Sequence, residues 1–564
     1  MMVIFNDSSS GEGTMKAIGD IKKIAGKECF VSGISAIVAD TRDLAESETP
    51  IYVVLASVIS CIVMGLLMDS FLIPVLFLLS IGMAIVYNLG SNVVVGEISY
   101  VTKALAAVLQ LGVTMDYSIF LWHSYEECRE IYDTKEEAMA KAIAATITSV
   151  VGSSITTIAG FIALCFMSFT LGLDLGVVMA KGVLLGVIGC VTILPALILG
   201  CDKAINRMRH KSLVPNTDKI SKFIIKRFPI FIVIMLALIA PAIYGYTHTD
   251  VYYDLTLSLP ENLDSVVSTK VLQDKYDLSS ANMILVNSDM ASQEIIDMVD
   301  EIDDVPGVSS AIAMEKITGA DLPKDFLPES LSGELRGENY EMILLASEYK
   351  TGSDEANEQC NSIEKIIKKY DEDGMLVGEA ACTRDLINIT NEDFKRVSAV
   401  SIGVIFIIIA VIYGSVLLPV LLVALIEFAI FVNMAIPCYT GTVLPFIASI
   451  VIGTIQLGAT VDYAILMTTR YRKERNDGKN KKEAVGIALH TSIPSIIASA
   501  LSFFGATFGV GVYSSIDMIS SLCTLMARGA IISMISVICI LPAMFMLFDK
   551  LIIKTSLTFK NKRA

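Results

Sequence analysis

Two aspartate–tyrosine pairs lie inside long apolar segments of the chain, at Asp116-Tyr117 and Asp462-Tyr463. An ionised aspartate inside a bilayer costs roughly 3 kcal/mol or more unless it is paired or hydrated, so such residues are rare and usually functional. A carboxylate balanced between this cost and nearby hydrogen-bond donors can take a proton from one side of a membrane and release it to the other. The sequence therefore predicts a proton relay formed by Asp116, Tyr117, Asp462 and Tyr463.

The two pairs belong to a long internal repeat. The segment QLGVTMDYSI at 110–119 returns as QLGATVDYAI at 456–465, and MAKG at 179–182 returns as MARG at 526–529. Matches at a nearly constant separation indicate a tandem duplication. Transporters place their coupling sites at the interface between such repeats. Equivalent positions for the two aspartates therefore favour a shared role in coupling.

A row of hydroxyl side chains at helical spacing follows each pair along the chain. The rows are Thr146, Ser149, Ser153 and Thr156 after the first pair, and Thr491, Ser495, Ser499 and Ser502 after the second. Because residues three or four apart share one face of a helix, each row can hold water or donate to a carboxylate. We expect each row to face the aspartate of its own repeat, although hydroxyls also serve as packing contacts between membrane helices. The residues predicted to support the relay from these rows are Ser149, Ser153, Ser495 and Ser499.

Three charged residues within apolar segments are further candidates for support of the relay. Lys181 and Arg528 occupy equivalent positions of the two repeats. They can pair with the aspartates, line a water path or extend to the membrane surface. Glu427 has no counterpart in the first repeat, where the aligned position is about Gly82. A coupling role and a substrate-binding role for Glu427 both remain open.

Composition predicts a protein that crosses the membrane many times. The 564 residues are 54% hydrophobic, with a mean hydropathy of +0.64. About 20 apolar residues cross a hydrocarbon core, and roughly eleven segments meet this requirement. The sequence carries no Walker A motif and no spacing typical of a metal or cofactor site, so we expect no enzyme activity and no cofactor, with a proton gradient as the energy source. We also expect no binding to nucleic acid.

The predicted fold is a polytopic α-helical membrane protein of about 11 spans in two pseudo-symmetric repeats, with an external α+β, ferredoxin-like porter domain. Short basic loops mark the cytoplasmic side, which places the acidic region 249–395 outside the cell membrane and the C-terminus in the cytoplasm. The predicted segments are a remnant of a first external domain (1–48), a five-span bundle (49–201), a basic cytoplasmic linker (202–228), one span (229–248), the external domain (249–395), a second five-span bundle (396–548) and a basic cytoplasmic tail (549–564).

Alternating strand and helix patterns define the external domain. We predict strands at 283–286, 308–314, 341–346 and 375–377, with helices at 293–302 and 354–370. Residues 2–6, 13–24 and 29–38 fit the last strand, helix and strand of a similar domain. The rest of that first domain and the span before it are missing from the sequence. This pattern predicts an N-terminally truncated reading frame or a split N-terminal partner, with a natural start at this point as the alternative.

With its spans, repeat and paired motifs, the chain resembles the MMPL family of the resistance–nodulation–division (RND) superfamily. The resemblance is strongest in FIASIVIGTIQLGATVDYAILMTTRYRKER at 446–475, and QLGVTMDYSIFLWHSYEE from 110 onward is a more diverged copy. The family pattern implies twelve spans, two external porter domains and a membrane relay of two Asp-Tyr pairs. Here that relay maps to Asp116, Tyr117, Asp462 and Tyr463.

The resemblance implies an exporter driven by the proton motive force, with a hydrophobic or amphiphilic substrate such as a lipid, a lipopeptide or a drug-like molecule. Two alternatives remain open. The first is an accessory that uses proton flow to assist protein translocation, and the second is a non-transporting lipid sensor or an inactive fragment. The expected partners are the lipid bilayer and the substrate, and the sequence leaves open a homo-oligomer as well as the split partner.

Overall fold

The computed structural model describes residues 3, 5–26, 29–94, 96, 98–214, 217–276, 280–319, 335–337 and 339–556. Its first eight helices are α1 (Glu12–Ala25), α2 (Ile34–Leu67), α3 (Leu72–Gly90), α4 (Tyr100–Arg129), α5 (Lys135–Leu164), α6 (Thr170–Arg207), α7 (Thr217–Lys226) and α8 (Phe228–Thr247). They are followed by α9 (Asp264–Tyr276), α10 (Ser292–Asp303), α11 (Met314–Thr318), α12 (Asp354–Tyr370), α13 (Glu379–Tyr413), α14 (Leu417–Thr440), α15 (Phe446–Asn476), α16 (Lys481–Tyr513) and α17 (Asp517–Thr555). The strands are β1 (Val251–Tyr252), β2 (Ser280–Asn287), β3 (Val308–Ile312), β4 (Tyr340–Ser347), β5 (Met375–Gly378) and β6 (Leu444–Pro445).

The chain forms two compact units. One consists of Met1–Leu44 and Tyr252–Asn391, and the other of Ala45–Val251 and Glu392–Ala564. Within the described residues, 11 helices are long and apolar enough to cross a membrane, namely α2 to α6, α8 and α13 to α17. A helix satisfies all of its backbone hydrogen bonds internally, which is what a hydrocarbon environment requires. The predicted polytopic helical fold with about 11 spans is confirmed.

The unit formed by Ala45–Val251 and Glu392–Ala564 contains most of the candidate spans and is called the membrane unit below. Helices α4 and α15 form its centre. In the most apolar stretch of α4 all residues are buried, and in that of α15 89% of the residues are buried. In that of α8 only 11% of the residues are buried. These two central helices also have the lowest hydropathy of the spans, 1.6 each, because other helices shield their polar residues from lipid. Both helices carry an Asp-Tyr pair, so the fold places the two pairs in its interior.

The other unit contains the predicted α+β domain. Four antiparallel strands lie in the order β3-β4-β2-β5. Helix α10 follows β2 and helix α12 follows β4, which is the β-α-β-β-α-β order of a ferredoxin-like domain. Ile284, Ile295, Ile343 and Ile367 belong to its buried core. The predicted order of strands and helices in this α+β domain is confirmed, and α12 has the predicted bounds Asp354–Tyr370.

Predictions near the N-terminus are only partly correct. The helix predicted at 13–24 is present as α1. The strand predicted at 29–38 is wrong, because helix α2 begins at Ile34 and the hydroxyl of Thr41 already donates to the carbonyl of Ile37, one turn earlier. No strand forms at the described residues of the segment 2–6, of which residues 2 and 4 lie outside the described part of the chain.

Three segment boundaries also differ from the prediction. Strand β3 ends at Ile312 and Met314 begins α11, so the predicted strand at 308–314 is two residues too long. Helix α13 begins at Glu379, well before the apolar stretch that was predicted to start the second bundle. Helix α17 continues to Thr555, into the predicted basic tail, whose residues 557–564 lie outside the described part of the chain.

Candidate functional site

Both Asp-Tyr pairs are buried in the membrane unit. Asp116 is 2% exposed and Asp462 is 1% exposed. Tyr117 and Tyr463 are buried to the same degree. Each aspartate precedes its tyrosine directly on a continuous helix, so the two side chains of a pair point in different directions around the helix. Each pair therefore presents its carboxyl and phenol groups to different neighbouring helices.

The carboxylate of Asp462 faces two hydroxyl groups of α5. Thr156 Oγ1 lies 3.5 Å from Asp462 Oδ1, and Thr157 Oγ1 lies 3.3 Å from Asp462 Oδ2. The phenol of Tyr117 in turn donates to Thr157 Oγ1 over 3.4 Å. Thr157 therefore connects the tyrosine of the first repeat with the aspartate of the second.

The carboxylate of Asp116 has a different environment. The side chain of Ser499 on α16 lies beside both Asp116 and Tyr463. However, Asp116 Oδ1, Ser499 Oγ and Ser502 Oγ are buried and have no hydrogen-bond partner among the described residues. Unsatisfied buried polar atoms are rare in folded proteins and require an explanation. Here two of these atoms belong to Asp116, the predicted proton carrier, and to the neighbouring Ser499.

The pairing of hydroxyl rows with aspartates differs from the prediction. Each row was expected to face the aspartate of its own repeat. Instead, the hydroxyls of α5 in the first repeat contact Asp462 of the second, and Ser499 of the second repeat lies beside Asp116 of the first. Helix α5 packs on α15 as well as on α4, and α16 packs on α4 as well as on α15, so each hydroxyl row can reach the aspartate of the other repeat.

Close helix contacts make this exchange possible. A Cβ atom added to Gly160 of α5 would lie 3.1 Å from the Cα atom of Gly458 on α15, so the two backbones touch there. At the equivalent contact, a Cβ on Gly112 of α4 would lie 2.8 Å from the ring of Phe503 on α16. Both glycines that precede the aspartates are thus at helix contacts, as glycines in membrane helices often are.

The intramembrane cations bind asparagines rather than the aspartates. Lys181 donates to the side-chain oxygen of Asn92. Arg528 donates through Nε to Asn433 Oδ1 over 2.7 Å and through Nη2 to the Asn433 carbonyl over 2.8 Å. Asn433 also donates to Gln456 Oε1 over 2.8 Å, which ties this cation to α15, the helix that carries Asp462.

The first repeat contains the matching amide pair. Asn88 donates to Gln110 Oε1 over 2.8 Å and to the carbonyl of Val178. Gln110 donates onward to the carbonyl of Gly182. All members of the pair are buried. These amide pairs were missed by the sequence reasoning, although the recurrence of Asn88 as Asn433 and of Gln110 as Gln456 is visible in the repeat.

The predicted supporting serines have separate contacts. Ser153 donates to the carbonyl of Val150 over 3.2 Å, and Ser149 is half-buried on the same helix. Ser495 lies 2.7 Å from the Nδ1 atom of His123 on α4. Together with Ser499, Ser495 joins α16 to the helix of the first aspartate. Thr157 was missed because its counterpart in the second repeat is Phe503, so the repeat gives no sign of it.

Glu427 lies apart from the Asp-Tyr pairs. It projects from α14 into a small cavity that Tyr246 of α8 and Ser449 of α15 also line. If Glu427 supports the relay as predicted, it does so without contacting either aspartate directly.

Comparison with known proteins gives the family. A model of the MMPL family matches residues 6–214 and 273–561. Membrane protein YdfJ of Bacillus subtilis is 21% identical over 506 residues, which are 85% of this chain and 65% of that protein. Putative membrane protein ActII-3 of Streptomyces coelicolor is 24% identical over 531 residues, or 88% of this chain and 70% of that protein. Probable transport protein MmpL4 of Mycobacterium leprae is 25% identical over 331 residues, or 56% of this chain and 34% of that protein.

The chain therefore spans just under two thirds of the length of YdfJ and a smaller part of MmpL4. The family model nevertheless covers most of the chain and includes both Asp-Tyr pairs. The chain thus belongs to the MMPL family, whose model matches most of a chain with many candidate membrane spans.

Proposed function

We propose that this protein exports a hydrophobic or amphiphilic substrate and that protons bound in turn by Asp116 and Asp462 drive it. Tyr117 and Tyr463 serve this relay through the hydroxyls of Thr157 and Ser499. In this proposal the α+β unit lies outside the cell membrane and the C-terminus lies in the cytoplasm, because the short basic loops mark the inner side.

The connection from Tyr117 through Thr157 to Asp462 is the observation that carries this proposal. The Thr157 hydroxyl lies within hydrogen-bond distance of Asp462 Oδ2, of the Gly458 carbonyl and of the Ser153 carbonyl. A hydroxyl has one hydrogen, so it donates to one of these acceptors at a time. An ionised Asp462 attracts that hydrogen, and a protonated Asp462 releases it to a backbone carbonyl. Proton binding therefore changes the contact between α5 of one repeat and α15 of the other.

The two aspartates differ in a way that suits alternating proton binding. Asp462 has two hydroxyl donors within 3.5 Å. Asp116 retains an oxygen without a partner among the described residues. Hydrogen bonds from donors stabilise an ionised carboxylate, and burial without donors favours the protonated form. The two aspartates therefore have different hydrogen-bonding neighbours, and in this proposal they bind protons unequally. One proton that crosses 100 mV supplies about 2.3 kcal/mol.

The proposal is tested with the full-length chain in proteoliposomes under an imposed pH gradient and membrane potential. The probes are the neutral lipophilic dye N-phenylnaphthylamine and a fluorescent phospholipid, because the natural substrate is unidentified. We expect gradient-dependent movement of at least one probe and its loss in Asp462→Asn and in Asp116→Asn. Thr146→Val is the matched control, since the Thr146 hydroxyl donates to the Ala142 carbonyl of its own helix.

The outcome separates this proposal from its alternatives. Full activity of Asp462→Asn at equal protein level would contradict the relay. Movement of neither probe, together with proton uptake only when a translocating protein is present, would favour an accessory of protein translocation. A chain that binds lipid but responds to no gradient would be a sensor or an inactive fragment.

A further inference from the structure

A cavity within the membrane unit lies beside Glu427. Its polar lining consists of Glu427, Tyr246 and three serines, Ser398, Ser401 and Ser449, and none of the described residues that line it is basic. The rest of the lining is mainly apolar and includes Phe394 and Ile430. An acidic side chain within a membrane segment, with no cation beside it, is costly to keep and indicates a function.

The first repeat shows that the fold does not require Glu427, Ser398 or Ser401. Buried positions of α2 recur in α13 at a constant separation, as Tyr52, Ala56, Ser60 and Met64 against Val397, Ser401, Ile405 and Ile409. In this register Ser398 corresponds to Val53 and Ser401 to Ala56. Asn88 and Asn433 give the same register for α3 and α14, so Glu427 corresponds to Gly82. Apolar residues thus take the places of Ser398 and Ser401 in the first repeat and a glycine takes that of Glu427, whereas Ser449 corresponds to Lys103.

The hydrogen bonds of the cavity show which ligand would fit. Ser401 donates its hydrogen to the Ser398 carbonyl over 3.1 Å, and Ser449 donates to the Phe446 carbonyl over 2.7 Å. Their oxygens are therefore left to accept. With the Glu427 carboxylate they form a set of acceptors that matches the three N–H donors of a primary ammonium group. A carboxylate adds the opposite charge, which strengthens such bonds.

The volume of the cavity and its aromatic rings further restrict which head group can bind. The cavity has a volume of about 20 Å³, room for one water-sized group. An –NH₃⁺ group has this size, whereas a trimethylammonium group is larger. The rings of Tyr246 and Phe394, with centroids 6.0 Å apart, both line the cavity. Aromatic faces attract cations. Helix α8, which supplies Tyr246, is the least buried of the spans, so an alkyl chain attached to the ammonium can remain in the bilayer.

We propose that Glu427 and this cavity bind the primary ammonium head group of an amphiphilic substrate. This inference rests on the proposed export function and specifies its substrate class. Glu427 supplies the charge, Ser401 and Ser449 accept hydrogen bonds, and Tyr246 and Phe394 exclude larger head groups.

The test measures binding of radiolabelled dodecylamine to the full-length protein in nanodiscs made of phosphatidylcholine and phosphatidylglycerol, which lack primary amines. Empty nanodiscs give the background. Dodecyltrimethylammonium and dodecanol are the competitors, and both should compete at least about tenfold more weakly than unlabelled dodecylamine. Glu427→Gln should weaken dodecylamine binding about tenfold or more, because the amide keeps the shape and removes the charge.

A second variant protects the test against misfolding. Ser398→Val combined with Ser401→Ala installs the first-repeat residues, which this fold already accepts, and should weaken dodecylamine binding severalfold. Asp462→Asn should bind dodecylamine normally, so loss of transport in Asp462→Asn and loss of binding in Glu427→Gln report on separate proposals. Equal binding of all three amphiphiles, unchanged affinity in Glu427→Gln, or displacement by sodium ions but not by unlabelled dodecylamine would overturn the inference.

Discussion

Thr157 of α5 and Phe503 of α16 occupy equivalent positions of the two repeats, and they give the two relay aspartates different neighbours. Helices α5 and α16 begin at Lys135 and Lys481, which fixes the correspondence. Thr157 places a hydroxyl 3.3 Å from Asp462. Phe503 places an aromatic ring against Gly112, one turn before Asp116. This difference between the copies thus contributes to the chemical inequality of the pseudo-symmetric site.

Replacing Thr157 by valine should slow gradient-driven probe movement about tenfold or more. Valine keeps the shape of threonine but removes the hydroxyl between Tyr117 and Asp462. A hydrogen bond to a charged group contributes about 1.5–3 kcal/mol, and about 1.4 kcal/mol corresponds to a tenfold change in rate. The measurement is the initial rate in proteoliposomes at equal protein content. An unchanged rate in Thr157→Val would remove this hydroxyl from the relay.

Gly160→Leu should separate α5 from α15 and abolish coupling. A Cβ atom at this position already lies 3.1 Å from the Cα atom of Gly458, so a larger side chain forces the helices apart. Overpacking of this kind costs about 1–3 kcal/mol. We expect a lower melting temperature of the purified protein and loss of gradient-driven probe movement.

Gly403→Leu is the control for this substitution. A Cβ atom on Gly403 of α13 meets nothing within 4 Å. The same change of residue type should therefore leave both melting temperature and transport near the wild-type values. Equal effects of the two substitutions would show that the Gly160–Gly458 contact has no special role.

Hydropathy and repeat matching were sufficient for the outline of this fold. Long apolar segments must become helices in a membrane, and the α+β elements follow from strict alternation and an amphipathic pattern, as for α12. The segment from Cys29 to Val38 was wrongly predicted as a strand because it is a short run rich in apolar residues, which is also typical of a strand. In the structure, Ile37 and Thr41 are buried one helical turn apart.

The site itself was predicted only in part. The aspartates, the tyrosines and the serines follow from residue type and position, but hydropathy does not say which helix packs against which. The crossed arrangement of α5 on α15 and α16 on α4 depends on how the two repeats fit together, so Thr157 could not be assigned to Asp462 from sequence. The amide pairs of Asn88 and Asn433 did leave a trace, since both recur in the repeat.

Acidification should loosen one contact of the α+β unit. Glu301 of α10 accepts hydrogen bonds from Lys369 over 2.7 Å and from Tyr370 over 3.1 Å, both on α12. The bond from Lys369 holds the pKa of the Glu301 carboxyl below its usual range. This contact therefore stabilises the fold above the ordinary glutamate value of about 4.3 and is lost as the pH falls through the lower pKa of the folded state.

Hydrogen–deuterium exchange of the full-length protein can follow this contact. After correction for intrinsic rates, exchange at the C-terminal turn of α12 should rise when the pH falls from neutral to about 3. Glu301→Gln should show faster exchange at neutral pH and little further change on acidification. A wild-type protein whose α12 exchange does not respond to pH would refute the assignment.

Each repeat contains a cluster of a tyrosine, an arginine and an aspartate, and the contacts within the cluster are shorter in the second repeat. Arg475 of α15 binds Asp549 of α17 through two nitrogens, at 3.0 and 3.1 Å, and Tyr471 donates to the same carboxylate. In the first repeat, Asp202 lies 3.9 Å from Arg129 and 3.5 Å from Tyr125. The side chain of Asp549 is 7% exposed and that of Asp202 is 18% exposed.

This difference predicts unequal losses of stability. Asp549→Asn removes one partner of a buried ion pair and leaves Arg475 without its counter-charge, which costs about 3–5 kcal/mol. Asp202→Asn weakens a longer and more exposed pair, for which about 1 kcal/mol or less is expected. Thermal unfolding of the purified protein should therefore show a much larger decrease for Asp549→Asn. Conversion of Tyr471 to Phe should have an intermediate effect, because the Arg475–Asp549 pair survives while the phenol hydrogen bond is lost. Equal losses for the two asparagine variants would mean that the shorter contacts of the second cluster add nothing to the stability of the protein.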